Sequence, residues 1–311
     1  MSNKIKSINF NHSFIFFLFC NFFSLILIKF QNATISPIIC LILILIVGVS
    51  HGSLDHLKGR KLLNILNIRN IIFFYLAYIF IVIIVISAWI LFPVFSLISF
   101  LIIASFHFGK EDTQFLVNMN TYLYQFLYFL KGSLIILLPL FFHFNETIDI
   151  FKLLLIDNEA FYITLNFIEE KKILQLGIIT STLSSIFLLV KNFELKKFCL
   201  FFDYFSLIII NYYFTPLIAF TIYFCFLHSI RHSITLMFEL NEDNFYHGFK
   251  VFVAKATPLT LITCVMCIIS IYFLEYYNDL DSSILKVIFI GLASLTFPHI
   301  LLEYFLEKNE K

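Results

Sequence analysis

Five histidines lie inside or at the rims of long apolar stretches: His51, His107, His228, His232 and His299. An imidazole in hydrocarbon must find a partner, because an unsatisfied polar group there costs ~2 to 7 kcal/mol. A chain that repeats such positions is building something from them, and converging imidazoles most readily build a metal site. His228 and His232 bracket His228-Ser229-Ile230-Arg231-His232, so on a helix they project from one face and can share an ion. The competing reading of each imidazole is a bond to a nearby backbone carbonyl or to water.

Acidic neighbours suit the shell behind such ligands, where a carboxylate accepts the second imidazole N–H and fixes the tautomer. Asp55 follows His51, Asp112 follows His107 and Glu303 follows His299, each within five residues. Arg231 needs an acidic partner, with Asp112, Asp55 and Asp203 available, or must snorkel to the surface. Gly52 and Gly109 adjoin histidine segments and are expected to end their helices in the left-handed conformation. His12 and His247 read as loop residues, His143 as interfacial, and His56 as a group behind the ligands or in water. All-imidazole ligation without thiolates suits iron, copper or zinc, and spacing does not separate them. The sequence contains no HExxH, no GxGxxG and no GxxxxGK[ST], so neither a zinc-protease helix nor a nucleotide cradle is expected.

The elements that position these residues are membrane helices. Hydrophobic residues make up 60% of the 311 and charged residues only 13%. The apolar runs are continuous and do not alternate, which points to an all-α, polytopic transmembrane bundle and not a barrel. About ten spans are expected, with eight to ten compatible: 14–30, 35–50, 71–92, 94–108, 122–144, 173–190, 198–214, 216–238, 253–274 and 284–306. Pro93 and the Thr215-Pro216 pair mark turns between neighbouring spans. The first run reads as a retained helix, since no small-residue cleavage site follows it. The polar 145–172 segment reads as an outer loop, and residues 1–311 as one integral-membrane domain.

Loops sharing a side with the N-terminus hold fourteen lysines and arginines, against five on the other side, so both termini are expected in the cytoplasm. Every histidine of the set then falls on an even-numbered span, which runs inward, and all reach the cytoplasmic half of the membrane. The six cysteines lie within spans and read as packing residues, including the Cys264/Cys267 pair. Trp89, Tyr122, Tyr124 and Tyr304 read as interfacial anchors. A net charge of +1 gives no electrostatic footprint for nucleic acid.

In this order, HGSLDH (51–56), FHFGKED (106–112), HSIRH (228–232) and FPHILLE (297–303) resemble the Brp/Blh family of membrane β-carotene 15,15'-dioxygenases. The resemblance implies a multi-pass oxygenase of the cell inner membrane that uses Fe(2+) and O2 to cleave the central double bond of β-carotene into two all-trans-retinal. It implies His51, His107, His228 and His232 as the metal ligands, with no catalytic residue beyond the metal centre. His299, Asp55, Asp112, Arg231 and Glu303 are then site-lining or supporting groups. A lipophilic carotenoid arriving through the lipid is the implied substrate, and a retinal-binding rhodopsin the natural recipient of the product. Competing expectations are a di-iron histidine-box desaturase or hydroxylase, which the absence of HxxHH disfavours, and a metal- or haem-binding transporter-like protein.

Overall fold

The computed structural model describes residues 3–29, 36–50, 52–117, 119, 121–154 and 156–309, and among these there is no strand. The helices are α1 (Asn3–Lys29), α2 (Pro37–Leu43), α3 (Asp55–Ile65), α4 (Ile72–Leu91), α5 (Pro93–Glu111), α6 (Tyr122–Phe142), α7 (Phe144–Leu153), α8 (Glu159–Glu170) and α9 (Ile173–Val190). They continue with α10 (Phe198–Tyr213), α11 (Pro216–Ile222), α12 (Ile230–Leu240), α13 (Phe245–Leu274) and α14 (Leu280–Asn309). Nine helical stretches among the described residues are long and apolar enough to cross a membrane. The expected span 198–214 falls short: α10 has 16 residues, ~24 Å at 1.5 Å each, against a hydrocarbon core of ~30 Å.

Both proline breaks are turns. Phe92 leaves helical geometry at φ −136° and Pro93 opens α5, while Thr215 is extended at ψ 156° before Pro216 opens α11. Proline's ring disfavours helix in the residue before it, and its missing N–H is harmless in a first turn. The polar 145–172 segment is mostly helical, forming α7 and α8. Trp89 is not an interfacial anchor: it is buried, and its indole N–H donates to the Leu154 carbonyl at 2.9 Å, which ties α4 to the end of α7. Tyr124 is likewise buried, whereas Tyr122 and Tyr304 are exposed.

Two close approaches fix the segments that carry the histidines. The first is α5 on α6, where a Cβ on Gly109 would lie 1.8 Å from the Tyr128 carbonyl oxygen and one on Gly132 would lie 1.8 Å from that of Ser105. Gly109 is therefore inside its helix, and no described glycine has positive φ, so the expectation of left-handed glycine stops fails. Close backbone contact between apolar helices, which cannot rely on the hydrophobic effect for their association, is what the glycine provides. The second joins two π-helical turns, Ile44–Gly48 after α2 and Tyr223–Ser229 between α11 and α12. A Cβ on Gly48 would meet Phe224 Cε1 at 2.5 Å, and Ser229 Oγ donates to the Gly48 carbonyl at 3.3 Å. Wider turns of this kind re-aim the side chains that follow, and they recur at functional sites.

Candidate metal centre

Four of the five histidines meet in the interior; the fifth, His51, lies outside the described residues. His107 comes from α5, His228 from the second π-helical turn, His232 from α12 and His299 from α14. The rings follow one another, His228 to His107 at 5.5 Å, His107 to His299 at 5.5 Å and His299 to His232 at 5.8 Å between centroids. All four are buried.

A carboxylate stands behind three of the rings. His299 Nδ1 lies 2.8 and 2.9 Å from the two oxygens of Asp55, His232 Nδ1 lies 3.0 Å from Glu111 Oε2, and His228 Nδ1 lies 3.3 Å from Asp112 Oδ1. A carboxylate can only accept here, so each Nδ1 donates, and in the neutral tautomer this favours Nε2 would carry the lone pair that a metal takes. The carboxylates are themselves held. Tyr78 donates to Asp55 at 3.0 Å and Tyr223 to Asp112 at 2.6 Å. Arg231 Nη1 also lies 3.5 Å from Asp112 Oδ1, so the carboxylate that holds His228 is itself paired with a buried guanidinium.

Pairing runs between helices, not along the sequence. Asp55 belongs to His299 and not to its neighbour His56, whose Nδ1 bonds the Ser53 carbonyl. Asp112 belongs to His228 and not to His107. The carboxylate behind His232 is Glu111, which stands beside Asp112 in the same motif but is not among the expected site residues. Glu303 sits among the rings, 3.6 Å from His299 Nε2, 4.0 Å from His232 Nε2 and 3.9 Å from His107 Nδ1, and Lys58 donates to its Oε1 at 2.6 Å.

Arg231 does not snorkel. Asp203 accepts from it at 2.9 Å, Ser13 at 2.7 Å and the Asp112 carbonyl at 3.3 Å. Of the remaining histidines, His12 lies in α1 with Nε2 2.8 Å from the Phe226 carbonyl, so it is not a loop residue. His143 meets the Asn211 carbonyl at 2.9 Å, and His247 is exposed in the first turn of α13. None of them joins the cluster.

A family profile described as Beta-carotene 15,15'-dioxygenase matches residues 42–307, a range that holds every residue of the cluster. The chain belongs to the β-carotene 15,15'-dioxygenase family. A protein named Beta-carotene 15,15'-dioxygenase from an uncultured marine bacterium, 66A03, is 27% identical over 217 residues, covering 69% of this chain and 73% of its own length. No solved structure matches. In this member of the dioxygenase family the cluster fits a resident metal on its own chemistry. Neutral imidazoles with carboxylate-fixed Nδ1 are the donors that a divalent transition metal takes, and one set of three donor atoms, from His232, His299 and Glu303, lies within 4.8 Å of one another.

Proposed function

We propose that this protein cleaves β-carotene at its central 15,15' double bond with O2, giving two molecules of all-trans-retinal at a ferrous iron inside the membrane. The observation that carries the reading is the convergence of imidazoles from α5, the α11–α12 unit and α14, three of them held at Nδ1 by a carboxylate. The family profile over 42–307 supports the same chemistry and substrate. His107, His228 and His232, together with His51, are the expected iron ligands.

Iron bound there supplies the redox chemistry that lets O2 react with an apolar hydrocarbon. The central C=C breaks, each of its carbons takes one oxygen atom, and no reductant is consumed. The chain's own groups hold and screen the centre. Asp112, Glu111 and Asp55 fix three imidazoles so that Nε2 faces inward. Phe108, 4.7 Å from the His228 ring, and Phe224, stacked on it at 5.9 Å, form an apolar wall that keeps water away and suits a polyene. A substrate this insoluble would arrive laterally through lipid. The chain is read as one multi-pass unit over 1–311 in the cell inner membrane with both termini cytoplasmic, delivering retinal to a retinal-binding rhodopsin.

Expression in cells that accumulate β-carotene tests the reading. Loss of orange colour with formation of retinal is expected; persistent colour without retinal, given verified membrane expression and iron supply, overturns it. His107→Ala and His232→Ala are expected to abolish both retinal formation and iron retention, whereas His247→Ala leaves both intact.

A further inference from the structure

Among the described residues, the donors that gather three together within 4.8 Å are not the four imidazoles taken together. They are His232 Nε2, His299 Nε2 and a Glu303 oxygen, with 3.6 Å between Glu303 Oε1 and His299, and 4.0 Å between Glu303 Oε1 and His232. For metal–nitrogen and metal–oxygen bonds of about 2.1 Å, neighbouring donors sit roughly 3 Å apart and opposite ones roughly 4 Å. The 3.6 and 4.0 Å separations exceed the neighbouring spacing, so side-chain shifts of up to about 1 Å would close these donors on one face of an ion with the helices left in place. Both imidazoles are also pre-aimed, since Glu111 and Asp55 hold the opposite nitrogens.

We propose that His232, His299 and Glu303 form a two-histidine, one-carboxylate face that binds the metal. The proposal rests on the metal-dependent reading above and changes its donor set: His299 and Glu303 become ligands. Two histidines and one carboxylate on one face, with the remaining positions open, is the donor arrangement suited to ferrous iron that must also bind O2. An octahedral ion holding all five histidines and Glu303 would have no position for O2. At least one of His51, His107 and His228 therefore stays off an ion that the triad holds. Lys58, bonded to Glu303 at 2.6 Å, supplies the positive charge that the carboxylate needs without a metal. The bound ion takes over that role.

The test uses the full chain purified in detergent, stripped with a chelator and titrated with Co(II), which reports its ligands by absorption. Glu303→Gln and His299→Gln are expected to weaken Co(II) binding at least about tenfold and to alter the cobalt spectrum, with helical content by circular dichroism unchanged. Glu303→Cys and His299→Cys add a positive readout: each should gain a sulfur-to-cobalt charge-transfer band, which arises only if the residue at that position touches the ion. Wild-type affinity and spectrum in the folded glutamine variants, or folded cysteine variants lacking the band, overturn the triad. Retinal formation by the wild type is scored separately. Retinal without the cysteine bands removes the triad and leaves the dioxygenase reading; bands without retinal do the reverse.

Discussion

At the scale of the residue, the proposed metal site depends on which nitrogen of each imidazole is held. Asp55 and Glu111 bond Nδ1 of His299 and His232, the nitrogens opposite the proposed donors, so they act through those rings as positioning residues. Asp55→Asn and Glu111→Gln keep the shape but weaken the acceptor, and groups in this place typically set metal affinity by about 10- to 100-fold. A loss in that range is expected from cobalt titration of either variant, with Tyr78→Phe, one bond further out, losing less. Unchanged affinity in both would remove the positioning role. That histidines would gather was legible in the sequence, because imidazole is costly in an apolar run and must find partners there. The partners were not. Asp55 stands four residues after His51 yet bonds a histidine 244 positions away, and short-range spacing carries no information on a contact made across two helices.

Among the elements, the α5–α6 contact sets where His107, Glu111 and Asp112 stand. Gly109 and Gly132 each face the partner helix's carbonyls at distances that no side chain allows. Gly132→Ala is expected to force the helices apart and destabilise the protein by ~1 to 3 kcal/mol, seen as a lower melting temperature in detergent. Metal affinity should fall with it, because Glu111 and Asp112 move with α5 while His228 and His232 do not. An unchanged melting temperature would mean that the contact has no energetic weight. Hydropathy and proline made most helices legible, including the breaks at Pro93 and Pro216. It could not show the π-helical turns Ile44–Gly48 and Tyr223–Ser229, since one extra residue per turn leaves the apolar run unchanged. Nor could it separate the 16-residue α10 from a full span, because its apolar composition is that of its neighbours.

Across the whole molecule, Arg231 joins four helical regions at one buried point: α12 carries it, Asp203 of α10 and Ser13 of α1 accept from it, and it reaches both the carbonyl and, at 3.5 Å, the carboxylate of Asp112 at the end of α5. Phe115 covers the guanidinium at 5.1 Å. Removing one member of a buried ion pair costs ~3 to 5 kcal/mol, because the other charge is left in an apolar interior, whereas replacing both by apolar groups can be nearly neutral. Arg231→Met alone should therefore be strongly destabilising, and Arg231→Met with Asp203→Leu should recover much of the loss. Metal affinity should not recover alongside stability. Asp112 would still lack the guanidinium that fixes it against His228, and Tyr223 alone would hold its carboxylate in place. Thermal unfolding and cobalt titration on the wild type, both single variants and the double variant separate these two effects. A double variant as unstable as Arg231→Met would mean that Asp203 is not the charge that Arg231 neutralises. Full return of cobalt affinity in the double variant would mean that the four-helix junction carries stability only, with no hold on the metal centre.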